Sequence, residues 1–232
     1  MTENVGPEIR ILYGRRRGKP LRPGQKDLIA SDLPGLTILL DDRVNLTALF
    51  GPGAKEYWLE IGFGSGEHLA WQAEHNPDVG VLGCEPFLNG VATLLGKLKK
   101  NGSKNVRIHN EAAELLLAKL STASIDKAFL LFPDPWPKTG HNKRRFVSFA
   151  NIEALAKVLK DGAELRIATD HTDYGAWILW HMLQSKDFDW QCENTGDWRQ
   201  RGSDWPPTRY EQKALDKGLH PVYYRFRRRP RI

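Results

Sequence analysis

The chain has 232 residues, 41% of them hydrophobic and 10% aromatic, with a formal net charge of +6. That suffices for one sizeable core and fits a single α/β domain with short extensions. It holds no run of about 18 apolar residues that would span a membrane, no secretory signal at its start, and only Cys84 and Cys192, in no CxxC spacing, which argues against a disulfide or zinc framework and for a reducing cytoplasm.

Residues 1–54 mix charge, proline and glycine with little periodicity, and read as a basic N-terminal arm with a lead-in helix; residues 55–232 read as one domain. Residues 1–26 carry seven Lys/Arg against two acids, residues 199–232 ten against three, and the middle 17 against 23. Positive charge at both ends of an acidic globule points to a polyanionic partner gripped by those ends.

From residue 56 the chain alternates strand-like and helix-like pieces, the pattern of a parallel sheet covered by helices. "EYWLEIG" (56–62) predicts a strand, and "FGSGEHLAWQAEHNP" a turn and a helix stopping at Asn76-Pro77. "VGVLGCE" (79–85) predicts a second strand. Val91, Leu94, Leu95 and Leu98 mark one apolar helical face. "NVRIHNE" (105–111), "DKAFLLF" (126–132) and "AELRIAT" (163–169) predict further strands. Between the last two, Phe149, Ile152, Leu155, Ala156 and Leu159 predict a helix closed by Asp161-Gly162. Trp177 to Leu183 predicts another helix, and "VYYRFRR" (222–228) a late, half-exposed strand. No repeat and no second domain is visible, and the scattered histidines give no metal site.

Three acids close successive predicted strands. Glu60 is followed by Gly62, Gly64 and Gly66, which let the backbone turn tightly and approach a ligand at a helix mouth. The G-x-G-x-G spacing differs from the dinucleotide-binding fingerprint, and an acid just before the glycines repels a pyrophosphate but attracts an ammonium. That favours S-adenosylmethionine over a nicotinamide cofactor. Glu85 is placed to accept from ribose hydroxyls, and Glu111 from an adenine amino group.

"PDPWPK" leaves the fourth predicted strand on the same edge. Pro133 and Pro135 constrain Asp134, and Trp136 offers a flat face to a base, as an enzyme that takes a nucleobase out of its stack requires. Methylating an exocyclic amine needs a general base. Guanine N7 needs none, so there a carboxylate accepting from the N1–H and N2–H edge would orient the ring and offset its developing charge. Lys138, Lys143, Arg144 and Arg145 would hold flanking phosphates.

"EIGFGSGEHL", "FPDPWPK" with "HNKRRF", "ATD" at 168–170 and "TRYEQ" at 208–212 resemble the bacterial tRNA (guanine-N7)-methyltransferases, and the resemblance covers about residues 25–228. It implies a Rossmann-like class I methyltransferase fold, with a seven-stranded, mostly parallel sheet and helices on both faces. It also implies methyl transfer from S-adenosylmethionine to a guanosine in the tRNA variable loop, in a cytoplasmic monomer or homodimer. By the same resemblance Glu60, Glu85, Glu111 and the glycine turn bind the cofactor, and Asp134 serves both the cofactor and the catalytic centre. Lys138, Asp170, Thr208, Arg209, Tyr210 and Glu211 would contact the substrate, and Gly140, His141, Asn142, Lys143, Arg144 and Arg145 the RNA. Glu111 stands where the family usually has Asp, and Pro137 where it often has His. Whether Asp134 or Glu211 holds the guanine edge stays open at this level. The rivals are an exocyclic-amine methyltransferase, whose D-P-P-W loop "PDPW" approaches without matching, and a non-catalytic RNA-binding subunit.

Overall fold

Seven strands form one sheet among the described residues of the computed structural model, which are Gly14, 16–40 and 42–231. Residues 1–13 of the expected basic arm lie outside the described residues. The strands are β1 (Glu56–Ile61), β2 (Val79–Cys84), β3 (Val106–His109), β4 (Ile125–Leu131), β5 (Leu159–Thr169), β6 (Phe188–Trp190) and β7 (Val222–Arg228), in spatial order β3-β2-β1-β4-β5-β7-β6. The first five run parallel, and β7 is antiparallel to both β5 and β6. The parallel strands read as near-continuous apolar runs because helices cover both faces.

On one face pack α1 (Pro23–Ser31), α2 (Leu33–Leu36), α4 (Glu67–His75) and α5 (Leu88–Asn101), around Leu69, Leu94, Leu95 and Phe129. On the other lie α3 (Leu46–Phe50), α6 (Ala113–Lys119), α7 (Phe149–Val158) and α8 (Thr172–Gln184), around Leu59, Leu116, Leu155 and Ile178. Two short helices, α9 (Gly196–Arg199) and α10 (Arg209–Leu215), precede β7. The lead-in region does more than introduce the domain, since Ile38, Val44 and Leu46 are part of its core. No helix among the described residues is long and apolar enough to cross a membrane.

Two expectations change. Helix α7 ends at Val158 without a glycine cap, and Leu159 opens β5. Asp161-Gly162 is instead an irregularity inside the strand: Ile125 pairs with Leu159 but Lys127 with Glu164, and Gly162 takes a φ of 80°. Phe149 begins α7 but is 52% exposed, so the apolar face is carried by Ile152, Leu155 and Ala156. Strand β7 is half-exposed as expected, with Tyr224 and Phe226 buried and Arg225 and Arg227 exposed, and it lies inside the sheet between β5 and β6.

The charge reading changes most. Because β7 runs antiparallel, its basic end lies where β5 begins, away from the carboxyl edge of the parallel strands. There Arg225 pairs with Glu164 (2.8 Å), Arg228 with Asp187 (3.2 Å), Arg229 with Asp189 (2.7 Å) and Arg231 with Asp161. The C-terminal arginines therefore fasten the sheet to its own acids.

Helix α5 meets the turn after β1 at Gly90, where a Cβ would fall 2.1 Å from the Gly64 carbonyl oxygen. In an open helix Gly→Ala stabilises by up to about 1 kcal/mol. Here the overlap is with backbone that cannot swing away, so Gly90→Ala is expected to destabilise by about 1–3 kcal/mol. Urea denaturation reads the difference in sign.

Candidate active site

Chain order reverses direction between β1 and β4, which lie side by side with Ile61 opposite Leu130. Ligands in open α/β sheets bind outside the carboxyl ends of the strands at such a switch point. A cavity of about 450 Å³ opens there. Its walls come from the turn after β1 (Gly62, Gly64), the end of β2 (Cys84, Glu85, Pro86, Phe87), the start of α6 (Glu111 to Glu114), the loop after β4 (Phe132, Pro133, Asp134, Trp136) and residues 143–146, with Gly14 and Tyr210 at the mouth.

The glycine turn has φ of 71°, 55° and 69° at Gly62, Gly64 and Gly66, backbone that L side chains rarely adopt. A Cβ on Gly62 would meet nothing within 4 Å, so the turn is open to a ligand at that point. Gly66 starts α4 packed on Leu94 and lies behind the cavity wall.

Glu85 is buried and aimed at the turn: one oxygen accepts from Gly64 N–H (2.7 Å), the other from Phe87 N–H (2.9 Å). Desolvation pushes its carboxyl up to about 7, with the nearby negative charges of Asp134 and Glu60 adding to the rise and the two backbone donors opposing it. Glu111 lines the mouth, exposed, and forms an ion pair with Arg16. Desolvation likewise raises Asp134 above the ordinary carboxylate range. Burial lifts the Cys84 thiol well above its usual value, which leaves it inert.

Glu60 departs from expectation. Side chains alternate across a strand, so Ile61, which lines the cavity, and Glu60 point to opposite faces. The Glu60 carboxylate is buried under α4 and accepts from His68 Nδ1 at 2.7 Å. Gln72 Nε2 donates to His68 Nε2 (3.1 Å) and to the Asp204 carbonyl (3.1 Å), so the imidazole proton sits on Nδ1. Asp204 is in turn held by both Nη atoms of Arg166, at 2.8 Å each. This chain ties the end of β1 to the segment that leads into α10.

Thr208 and Glu211 form the capping box of α10: Thr208 Oγ1 accepts from Glu211 N–H (3.1 Å), and Glu211 Oε2 from Thr208 N–H (3.3 Å). Both are buried. Glu211 Oε1 also accepts from Arg201 (3.0 Å) and from the Tyr223 hydroxyl (2.8 Å). That carboxylate is committed to protein donors; of these two acids, only Asp134 lines the cavity. Arg209 reaches Ser65 Oγ (2.9 Å) beside the glycine turn, and the Tyr210 ring lies 3.2 Å from where a Gly64 Cβ would be. Lys138 and Asp170 stand at the same edge, exposed and half-buried, outside the cavity lining.

The loop after β4 holds more strain than its prolines suggest. Phe132 and Trp136 take φ of 53° and 43°, and each precedes a proline, which disfavours helical backbone before it. Each costs on the order of 1–3 kcal/mol. Beyond the loop, Thr139–Arg144 forms a 3₁₀ turn. Gly140 and Lys143 are exposed there, with His141 and Asn142 half-buried. The Arg144 guanidinium lies 4.9 Å above the Trp136 ring. His141 is held below its ordinary range, first by desolvation and then by the charges of Arg144, Lys138 and Lys143. Arg145, grouped with them in the sequence, does not face outward. Its side chain is 1% exposed; Nε donates to the Pro135 carbonyl (2.8 Å) and Nη2 to Asp173. Tyr174 and Trp177 of α8 flank it, with ring centroids 5.0 and 4.9 Å from the guanidinium carbon.

Glu114 is a cavity residue that sequence reasoning missed. It accepts from Asn151 Nδ2 at 3.2 Å. Its available signal was its place three residues after Glu111, at the start of a helix too short to show periodicity.

Residues 54–223 match a family described as putative methyltransferase. Proteins named tRNA (guanine-N(7)-)-methyltransferase are similar over nearly the whole chain. That of Zymomonas mobilis is 47% identical, covering 95% of both chains, and that of Ruegeria pomeroyi 48% identical, covering 94% of both. Among solved structures, the 16S rRNA (adenine(1408)-N(1))-methyltransferase of Catenulisporales acidiphilia superposes with a TM-score of 0.53 at 16% identity, over 85% of this chain and 99% of that one. A SAM-dependent O-methyltransferase of Thermotoga maritima gives 0.52 at 16% identity, over 81% and 64%. At such identities the likeness is one of fold.

Since His68 Nδ1–H has Glu60 as its acceptor in a dry environment, Glu60→Ala is expected to destabilise the fold by about 1–3 kcal/mol. A denaturant midpoint measured without ligand tests it, and an unchanged midpoint contradicts the buried pairing.

Proposed function

Because the chain belongs to the tRNA (guanine-N(7)-)-methyltransferase family, we propose that the switch-point cavity receives S-adenosylmethionine, that a flipped guanosine of tRNA meets it at the proline loop, and that Asp134 orients the guanine. The observation that carries this reading is the β1/β4 pairing, which sets the glycine turn and the proline loop on neighbouring strands. When bound, S-adenosylmethionine would supply an electrophilic methyl on a sulfonium, whose sulfur would keep the electron pair once the methyl is transferred to guanine N7.

The cavity's chemistry suits that cofactor. It is large enough for one extended small molecule, it is walled by Glu85, Glu111 and Glu114, and its glycine turn is open at Gly62. Glu85 would accept from the ribose hydroxyls and Glu111 from the adenine amino group, which requires Arg16 to give way. Glu60 would act from behind the turn, its charge adding to the negative field that draws a cation. Asp134 would accept from the N1–H and N2–H edge of guanine, hold the ring in line with the methyl group and offset the positive charge it gains. No proton need leave, so no general base is required. Exposed Lys138 and Lys143 would take phosphates, and Trp136, braced by Arg144, would meet the base. The target is a guanosine of the tRNA variable loop, and the cytoplasm suits the two free cysteines. One chain supplies the whole cavity lining, so either a monomer or a homodimer could work.

Asp134→Ala is expected to lower kcat by at least about 100-fold while S-adenosylmethionine affinity stays close to that of the unaltered protein. Incubating the enzyme with unmodified tRNA and labelled donor, then cleaving the product with borohydride and aniline, tests the position of methylation. A product methylated anywhere but N7 contradicts the reading.

The raised pKa of Glu85 gives a pH signature. In the free protein the carboxyl keeps its proton up to about 7, whereas ribose hydroxyls need the carboxylate. Below about 7, binding therefore releases a proton, and affinity should rise by up to about tenfold per pH unit, then level off. Folding runs the other way: the group binds its proton more tightly folded than unfolded, so its contribution to stability declines as pH rises through the same window. Calorimetry in buffers of different ionisation enthalpy reads the proton release, and a pH-independent affinity removes Glu85 from the site.

A further inference from the structure

Arg145 is a buried charge at the wall of the cavity that the reaction itself does not call on. We infer that it is a positioning residue for Asp134: with Asp173 it clamps the strained loop after β4, so that the catalytic carboxylate is already in place when the base arrives. The inference rests on the reading of Asp134 given above.

The loop Pro133–Pro137 is poor in the means of holding itself. Three of its five residues are prolines and have no N–H to donate, so it must be held largely through carbonyls. Its two left-handed residues, Phe132 and Trp136, bracket the acid and would relax unless the surroundings oppose them. At the near end Phe132 N–H is fixed to the Ala168 carbonyl on β5 (2.7 Å). At the far side the Pro135 carbonyl accepts from Arg145 Nε (2.8 Å). Pro135 is the immediate neighbour of Asp134, so a shift at its carbonyl is passed to the carboxylate with little attenuation.

The clamp is itself immobilised. Two aromatic rings of α8 flank the guanidinium and Asp173 takes its Nη2, while the side chain is 1% exposed. The planar fork serves the carbonyl from Nε and the carboxylate from Nη2, two nitrogens at a fixed spacing; an ammonium has one nitrogen on a flexible stem and cannot keep both contacts in place. The arrangement also joins the catalytic loop to the first turn of α8, where Asp173 is 66% exposed at the site's own edge.

The test compares Arg145→Lys, Asp173→Asn and Asp134→Asn, the last expected to keep measurable residual turnover, singly and combined, using steady-state kinetics on tRNA, calorimetry with S-adenosylmethionine and thermal melting. Arg145→Lys keeps the charge and should lower kcat by about 10–100-fold, with cofactor affinity changed less than about twofold, since displacement of a catalytic group by about 1 Å is that costly. Added to Asp134→Asn it should cost no further turnover, because both act through one carboxylate. Asp173→Asn keeps an acceptor and should lower kcat by about 3–10-fold; it carries the test if Arg145→Lys does not fold. Several results overturn the inference: a higher KM for tRNA at unchanged kcat, which would make Arg145 an RNA contact, equal losses with and without Asp134, or full activity of Asp173→Asn. Full activity of Asp134→Asn would instead sink the reading of the acid, and this inference with it.

Discussion

Everything at this site depends on the parallel pairing of β1 with β4 in the register that sets Ile61 opposite Leu130. Paired strands lie about 4.8 Å apart, so the two segments that leave them begin side by side. One is a glycine turn able to press its backbone against a ligand, the other a proline loop that carries an acid and an indole. A slip of one residue would turn Leu130 to the wrong face, and a slip of two would carry the loop about 6.6 Å along the strand. The register is secured by burial on both faces, since Leu59 and Ile61 pack on one side and Trp58 and Phe129 on the other.

A rigid sheet also explains why local costs are tolerated at its edge. Two aromatic residues in left-handed backbone, a guanidinium buried against a carbonyl and a carboxyl desolvated until it titrates near neutrality are each unfavourable alone. They survive because the surrounding packing over-determines the geometry. All three sit at the carboxyl edge, where Glu85 and the proline loop line the cavity and Arg145 braces that loop through the Pro135 carbonyl. The opposite edge shows the contrary economy: there Arg225, Arg228, Arg229 and Arg231 meet acids of the same chain.

Much of this was legible in the sequence, and what was not fails for physical reasons. The parallel strands announce themselves as unbroken apolar runs, and the acids closing them follow from that placement. The end of α7 was misread because Asp161-Gly162 looks like a helix cap; the same left-handed glycine serves a strand irregularity equally well. Helix α6 and strand β6 are too short for periodicity to register. Glu60 was aimed at the ligand because strand-end position was weighed without the pleat, which decides the face. Arg145 was counted with its basic neighbours because a run of like charges reads as a solvated surface. Nothing local signals that the last of them finds Tyr174 and Trp177 some thirty residues on. Glu211 is the converse case, an acid whose motif reads as substrate recognition and whose side chain closes a buried capping box.

The distribution of charge then takes a different form from the one net counts give. With Arg225, Arg228, Arg229 and Arg231 paired to acids at the far edge, the cations placed to meet a polyanion on the reading proposed above are those exposed around the cavity. Arg17 and Lys19 belong to a strand of chain pinned to the start of α5, where Leu88 N–H donates to the Arg16 carbonyl and Asn89 binds both Gly18 and Lys19. Lys138 and Lys143 stand across the opening, and Arg209 lies beside the glycine turn. Within this basic rim the lining is acidic, with Glu85, Glu111, Glu114 and Asp134 around one cavity. A rim of one sign around a lining of the other sorts ligands by charge before contact: it disfavours phosphates inside the cavity and favours a cationic small molecule there. On the reading proposed above, the two substrates of the methyl transfer differ in that respect: the field that favours the donor disfavours the RNA backbone, and an uncharged base is the part of the RNA that it does not repel.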